Sequence, residues 1–236
     1  DPAAHSVSYI ASINLLKIES YVCRCFPHVV NLACKAVLKE VTDMKFAAAY
    51  AQDYVPSGPP PTNFLDVLNR DPIATVRTLV RVIRASSLRR QYFSDVLRTL
   101  EQKDLQLLRD MDVRWSSTLL MIERATLLPS AIDVFLAANE MEELRKYQLA
   151  TCEWDALAAF QKILSVPHAF QERLAAEKVP TLCEALPSFE AMKVRWEQQR
   201  REMPEAAHII AAGLEKLEEY HDYAGPVPAY TLAMGM

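Results

Sequence analysis

Glycine is scarce: the 236-residue sequence contains four. Tight β-hairpins and phosphate-cradling loops draw on glycine because it takes positive φ without steric cost. A chain this poor in it predicts mostly helix. None of the four stands in a Walker or dinucleotide-binding spacing, which sets aside NTPases and nicotinamide enzymes. With 51% hydrophobic and 24% charged residues, the chain can bury one large core or two modest ones. It opens with Asp rather than Met and stops at "YTLAMGM", so it reads as a piece of something longer or as a degraded gene product.

The N-terminal stretch "HSVSYIASINLLKI" has helical character, and "SYVCRCF" alternates β-branched and aromatic residues as a short strand would. After Pro27, Val29, Leu32, Ala33, Ala36 and Val37 follow helical spacing, so a helix is expected from about His28. Residues 54–63, "YVPSGPPPTN", hold four of the fourteen prolines and predict an exposed linker or long loop. Asp71-Pro72 reads as an N-cap followed by proline at the first helical position, opening a helix over 72–85 with Val76, Leu79, Val80 and Ile83 on one face. Beyond Trp115 the long segments read as helices, broken or kinked at Pro129, Pro167, Pro187 and Pro204.

The net charge of −4 and pI of about 5.8 argue against a generally basic surface but leave room for a local stripe. Arg77, Arg81 and Arg84 recur at helical spacing, and Arg89, Arg90 and Arg98 extend the run. Such a stripe is either a solvated helix face paired with acids such as Glu101, Asp104 and Asp110, or a phosphate-contacting face. In "RDMDVRWSSTLLMIERA", residues 109–125, a serine caps a helix and Trp115 starts a packed face continued by Leu119, Ile122 and Ala125. The other reading stacks the Trp115 indole on a displaced base while Arg114 holds a phosphate. Asp110 and Asp112 would share one face of a strand, as metal-holding acids do, or simply end an exposed strand ahead of a helix.

Cys23, Cys25, His28 and Cys34 gather four soft ligands, yet their spacing matches no common zinc finger and no second pair follows. Small buried thiols are the alternative. Five unevenly spaced cysteines suggest a reducing compartment, cytoplasm or nucleus, rather than a secreted disulfide framework. No apolar run approaches the roughly 20 residues that span a bilayer.

Two blocks in order, "RCFPHVVNLACKAVLKEV" and "LQLLRDMDVRWSSTLLMIERATLLPSAIDVFL", resemble the hAT superfamily of transposases, named for hobo, Activator and Tam3. The first resembles R-C-x-x-H-x-x-N-L-x-x-K through Arg24, Cys25, His28, Asn31, Leu32 and Lys35. The second resembles D-x-x-x-R-W-[NS]-S-T through Asp110, Arg114, Trp115, Ser116, Ser117 and Thr118. A third, "EKVPTLCEALPSFEAM", is similar to Y-P-T-L-x-x-x-L-P in the family's helical region.

The resemblance implies a mostly α fragment of an RNase H-like α/β domain with few strands, residues 1–115, followed by an all-α insertion, residues 116–236. It implies metal-dependent DNA cleavage and strand transfer by an Asp/Asp/Glu triad with Mg²⁺ or Mn²⁺. Asp1 is the one candidate remnant of that triad, so this chain is expected neither to bind the metals nor to cleave DNA. Cys25, His28, Asn31 and Asp110 fall on structural motif positions. DNA contact, expected to be weak, would run through Arg77, Arg81, Arg84, Arg89, Arg90, Arg114 and Trp115. A nuclear location and self-association of a full-length protein follow from the same resemblance, with no membrane or small-molecule substrate. The alternative is a non-catalytic helical domain that binds DNA or protein.

Overall fold

The computed structural model describes residues 26–48, 50–111, 114–176 and 182–224. The described residues are helical and contain no strand. Nine α-helices follow one another: α1 (Phe26–Val41), α2 (Phe64–Asn69), α3 (Pro72–Ala85), α4 (Ser87–Thr99), α5 (Trp115–Thr126), α6 (Pro129–Ala137), α7 (Thr151–Ala176), α8 (Leu182–Glu202) and α9 (Ala207–Ala224). Short 3-10 helices occupy Met44–Ala47, Asn139–Tyr147 and Pro204–Ala206.

Local sequence explains most of these boundaries. Asn63, Asp71 and Ser86 each accept a backbone N–H of the helix they precede, which satisfies one of the unpaired donors at a helix start. Pro72 and Pro129 stand in the first turn of α3 and α6, where their missing N–H costs nothing. The helix expected over 72–85 is present with those bounds. The segment after Pro129 is not one helix as its pattern suggests. It leaves α-geometry at Ala138, continues as a 3-10 stretch, and carries non-helical backbone at Met141. Packing decides this: Met141, Leu144 and Tyr147 are all buried, and their three-residue spacing suits a 3-10 helix.

Pro167 lies inside α7 without ending it. A proline at this position removes the donor for the carbonyl of Ile163, four residues back. The Trp196 indole Nε1–H of α8 donates to that carbonyl at 3.0 Å, and Gln199 Nε2 reaches the neighbouring Lys162 carbonyl at 2.8 Å. The helix retains its course because a neighbouring helix supplies the lost hydrogen bond.

One hydrophobic cluster runs through the whole described chain. α1 lies along α9, α7 packs on α5 and α8, and α4 packs on α6. Of the positions the periodicity marked, Val29, Ala33 and Val37 of α1 and Val76, Leu79, Val80 and Ile83 of α3 are buried, whereas Leu32 and Ala36 are half-buried and Val30 and Leu38 fill the core instead. The core is continuous across residue 115, since α1 contacts α5, α7 and α9. Residues 54–63 form a long, mostly exposed loop. It is tied down where Arg70 Nη1 donates to the carbonyls of Gly58 and Pro59 and where the Cys152 thiol donates to Pro61 O.

Two strands were expected. Residues 20–25, most of "SYVCRCF", lie outside the described residues. Residues 103–111, expected to include a strand before Trp115, form no regular secondary structure and pair with no strand among the described residues. They run back along α5, held by Arg124 Nη1 to the Gln106 carbonyl and by the side chain of Asp110. Side-chain bonds to a helix replace a β-ladder there.

α9 approaches its neighbours closely at Gly213. A Cβ there would fall 2.6 Å from Trp196 Cζ3 and 2.7 Å from Val37 Cγ2. Alanine ordinarily stabilises a helix interior by up to about 1 kcal/mol over glycine. Here both neighbours are buried in the core, so overpacking at about 1 to 3 kcal/mol should win. Urea denaturation of Gly213→Ala is expected to show net destabilisation.

Candidate functional site

The polar centre of the molecule joins α3 to the start of α5. Arg77 Nε donates to Asp110 Oδ2 at 2.7 Å, and the two side chains are 4% and 1% exposed. Arg77 Nη1 reaches Thr42 Oγ1 at 3.3 Å. The Thr42 hydroxyl donates to Asp71 Oδ2 at 2.9 Å, and Asp71 also receives the N–H groups of Asp43 and Ala74. On the other side, Thr118 Oγ1 lies 3.0 Å from both oxygens of Asp110, Ser117 Oγ lies 2.6 Å from Oδ1, and the Met111 N–H donates to the same oxygen at 2.8 Å. Arg77 Nη2 is buried with no hydrogen-bond partner among the described residues.

Asp71 holds its place under strain. Its φ of 42° lies in the left-handed region, which aspartate tolerates better than most residues because its short side chain bonds locally. Burial pushes its carboxyl above the usual aspartate range, against the hydrogen bonds from Ala74, Asp43 and Thr42 that favour the charged form.

This arrangement corrects several expectations about the site. Arg77 is no phosphate contact, since it is buried and neutralised by Asp110. Arg81 pairs with Asp53 at 2.8 Å and Arg89 pairs with Glu143. Arg84 Nη1 donates to Gln106 and Arg90 Nη1 to the Arg84 carbonyl. The stripe is therefore largely committed within the chain. Of the acids expected opposite it, Asp110 does serve, whereas Asp104 accepts from Ser94. Arg114 is exposed, at the N-cap of α5.

Trp115 is 4% exposed within the main core, its ring edge-on to His168 at 6.0 Å between centroids. The packing account holds, and no base can reach a buried indole. The expected serine cap is also revised: α5 has no side-chain cap, and Ser117 bonds instead to the Arg114 carbonyl and to Asp110. Asp110 uses both carboxylate oxygens on Arg77, Ser117, Thr118 and Met111. Asp112 and Asp1 lie outside the described residues.

The four-ligand cluster is only half visible, because Cys23 and Cys25 lie outside the described residues. His28 is exposed and Cys34 is wholly buried in the core. Six residues apart on one helix, they point about 120° apart. Burial raises the Cys34 thiol well above its ordinary pKa, the opposite of what a thiolate ligand requires. Among the described residues no three His, Cys, Asp or Glu side chains gather as a metal site. Asn31 is half-buried on α1.

A groove that residue patterns did not reveal lies at the C-terminal end of α1. It encloses about 640 Å³ and is lined by Thr42, Asp43, Lys45, Phe46, Tyr54 and Asp71 among others. Phe46 and Tyr54 meet edge to face, 4.9 Å between centroids. The Asp71-Pro72 helix start was a legible signal for one wall. The aromatic pair was not legible, because its members sit on either side of a loop.

Residues 23–163, more than half of the chain, match the family model described as the ZBED1 RNase-like helical domain. The chain belongs to this family, and its origin is hAT-like. The matched residues include both blocks that carry the resemblance, from Arg24 to Lys35 and from Asp110 to Thr118. No curated protein and no solved structure matches the chain.

Two outcomes test the site. Asp110→Ala leaves the Arg77 cation buried and unpaired, and should cost about 3 to 5 kcal/mol. Replacing both members together by apolar residues should recover part of that loss in urea denaturation. Trp115→Ala should cost about 3 to 5 kcal/mol through the cavity it leaves. Arg114→Ala, at an exposed position, should change stability by less than about 0.5 kcal/mol. Unchanged stability in Trp115→Ala together with selective loss of binding to distorted DNA would return the indole to the role of a base contact.

Proposed function

We propose that this chain is the helical domain of a fragment of, or a domesticated derivative of, a hAT-type transposase, and that it acts as a non-catalytic supporting and binding domain. The observation that carries this reading is the saturation of the Asp110 carboxylate by Arg77, Ser117 and Thr118. Two-metal cleavage needs several carboxylates with oxygens free to hold both ions. The family implies Mg²⁺ or Mn²⁺, and the acids around this site do not fit them.

DNA is a weak partner in this reading. Arg114 and the outer edges of Arg81, Arg84, Arg89 and Arg90 offer phosphate contacts, while their internal partners and the net charge of −4 work against tight binding. The family resemblance supports a nuclear protein whose self-association belongs to a longer chain. Among the described residues no helix is long and apolar enough to cross a membrane.

Purified protein incubated with supercoiled plasmid and either Mg²⁺ or Mn²⁺ is expected to leave the plasmid uncut. Nicking that one Asp substitution abolishes would overturn the proposal. Binding to duplex DNA, measured over a salt series, should be weak and fall steeply with ionic strength.

A further inference from the structure

The groove at the end of α1 plays no part in the reading above. Within it, Phe46 and Tyr54 form a corner whose ring planes stand at 69°. Tyr54 is fixed from two sides: its hydroxyl donates to the Arg70 carbonyl at 2.8 Å, and its N–H donates to Thr78 Oγ1 at 3.1 Å. The side chain of Lys45 folds over the Phe46 ring. Its Nζ stands 4.8 Å from the Phe46 ring centroid and 2.6 Å from Asp43 Oδ2. An ammonium group therefore already sits against an aromatic face with a carboxylate beside it, the arrangement by which proteins recognise alkylammonium ligands.

The surroundings favour the same charge. Glu40 and Asp43 line the groove against Lys39 and Lys45, with Asp71 buried at its wall, and the C-terminal end of the 16-residue α1 adds partial negative charge. The space of about 640 Å³ falls within the range of roughly 300 to 1,000 Å³ typical of small-ligand sites. Lys45 is no fixture: its side chain is 68% exposed, and an exposed lysine pair with aspartate is worth little.

We propose that this groove binds a lysine side chain on an exposed segment of a partner protein. The incoming ammonium displaces Lys45 from the Phe46 face and takes over Asp43. Lys45 is then an internal competitor that lowers the apparent affinity by the fraction of time it fills the corner.

The test is an NMR titration of the whole chain, to millimolar concentration, with three capped tripeptides whose central residue is lysine, trimethyllysine or norleucine. The two cationic peptides should shift resonances of residues around Phe46 and Tyr54 saturably, and norleucine should bind at least tenfold more weakly. Lys45→Ala should tighten the cationic peptides several-fold. Phe46→Leu, which keeps the bulk and removes the π face, should weaken them at least fivefold while the melting temperature stays close to that of the parent. Absence of saturable binding in both the parent and Lys45→Ala would overturn the proposal. So would equal binding of norleucine, or affinity indifferent to Phe46→Leu. None of these results bears on DNA cleavage, which the plasmid assay decides separately.

Discussion

A buried ion pair ties α3 to the segment that leads into α5. Arg77 of α3 and Asp110, just ahead of α5, are almost wholly removed from water. Desolvating two charges costs several kcal/mol per ion, and attraction offsets that only when geometry and further hydrogen bonds are good. Thr42, Ser117, Thr118 and the Met111 N–H supply those bonds. Residues 103–111 have no strand partner to hold them, so this cluster and the Arg124 bond to Gln106 position them against α5. The pair gives the segment a unique register, because sliding it by one residue would strand both charges.

The same cluster changes how the family motif is understood in this chain. Asp110, Ser117 and Thr118 of the D-x-x-x-R-W-[NS]-S-T block form one hydrogen-bonded unit, and Trp115 packs beneath it. The block therefore works here as a helix-start anchor. Its exposed member is Arg114. The arginines of α3 and α4, which looked like a phosphate-binding run, are distributed among Asp110, Asp53, Gln106, Glu143 and a backbone carbonyl. A stripe in sequence became a set of separate ties between elements.

Legibility followed the range of the interaction. The helix over 72–85 was readable because its signals, Asp71, Pro72 and the spacing from Val76 to Ile83, lie within one segment. Proline was read less well. Pro167 was expected to break or kink its helix, yet the Trp196 indole from another helix satisfies the carbonyl it leaves free. Likewise, whether Arg77 faces water or Asp110 depends on a residue 33 positions away, and no local pattern carries that information. The packing account of Trp115 was readable from Leu119, Ile122 and Ala125, but choosing it over base stacking needed the burial.

The amino-acid sequence by itself determined the helical character, the apolar faces of α1, α3 and α5, and the hAT-like origin. Each is encoded by short-range propensity, periodicity or motif order. Only the tertiary structure decided that Asp110 is a salt-bridged anchor, that the arginine run is consumed by internal partners, and that Phe46 and Tyr54 meet at one corner. These outcomes depend on which side chains from distant segments exclude water from one another, and burial sets both the strength of a charge pair and the access of any ligand to it.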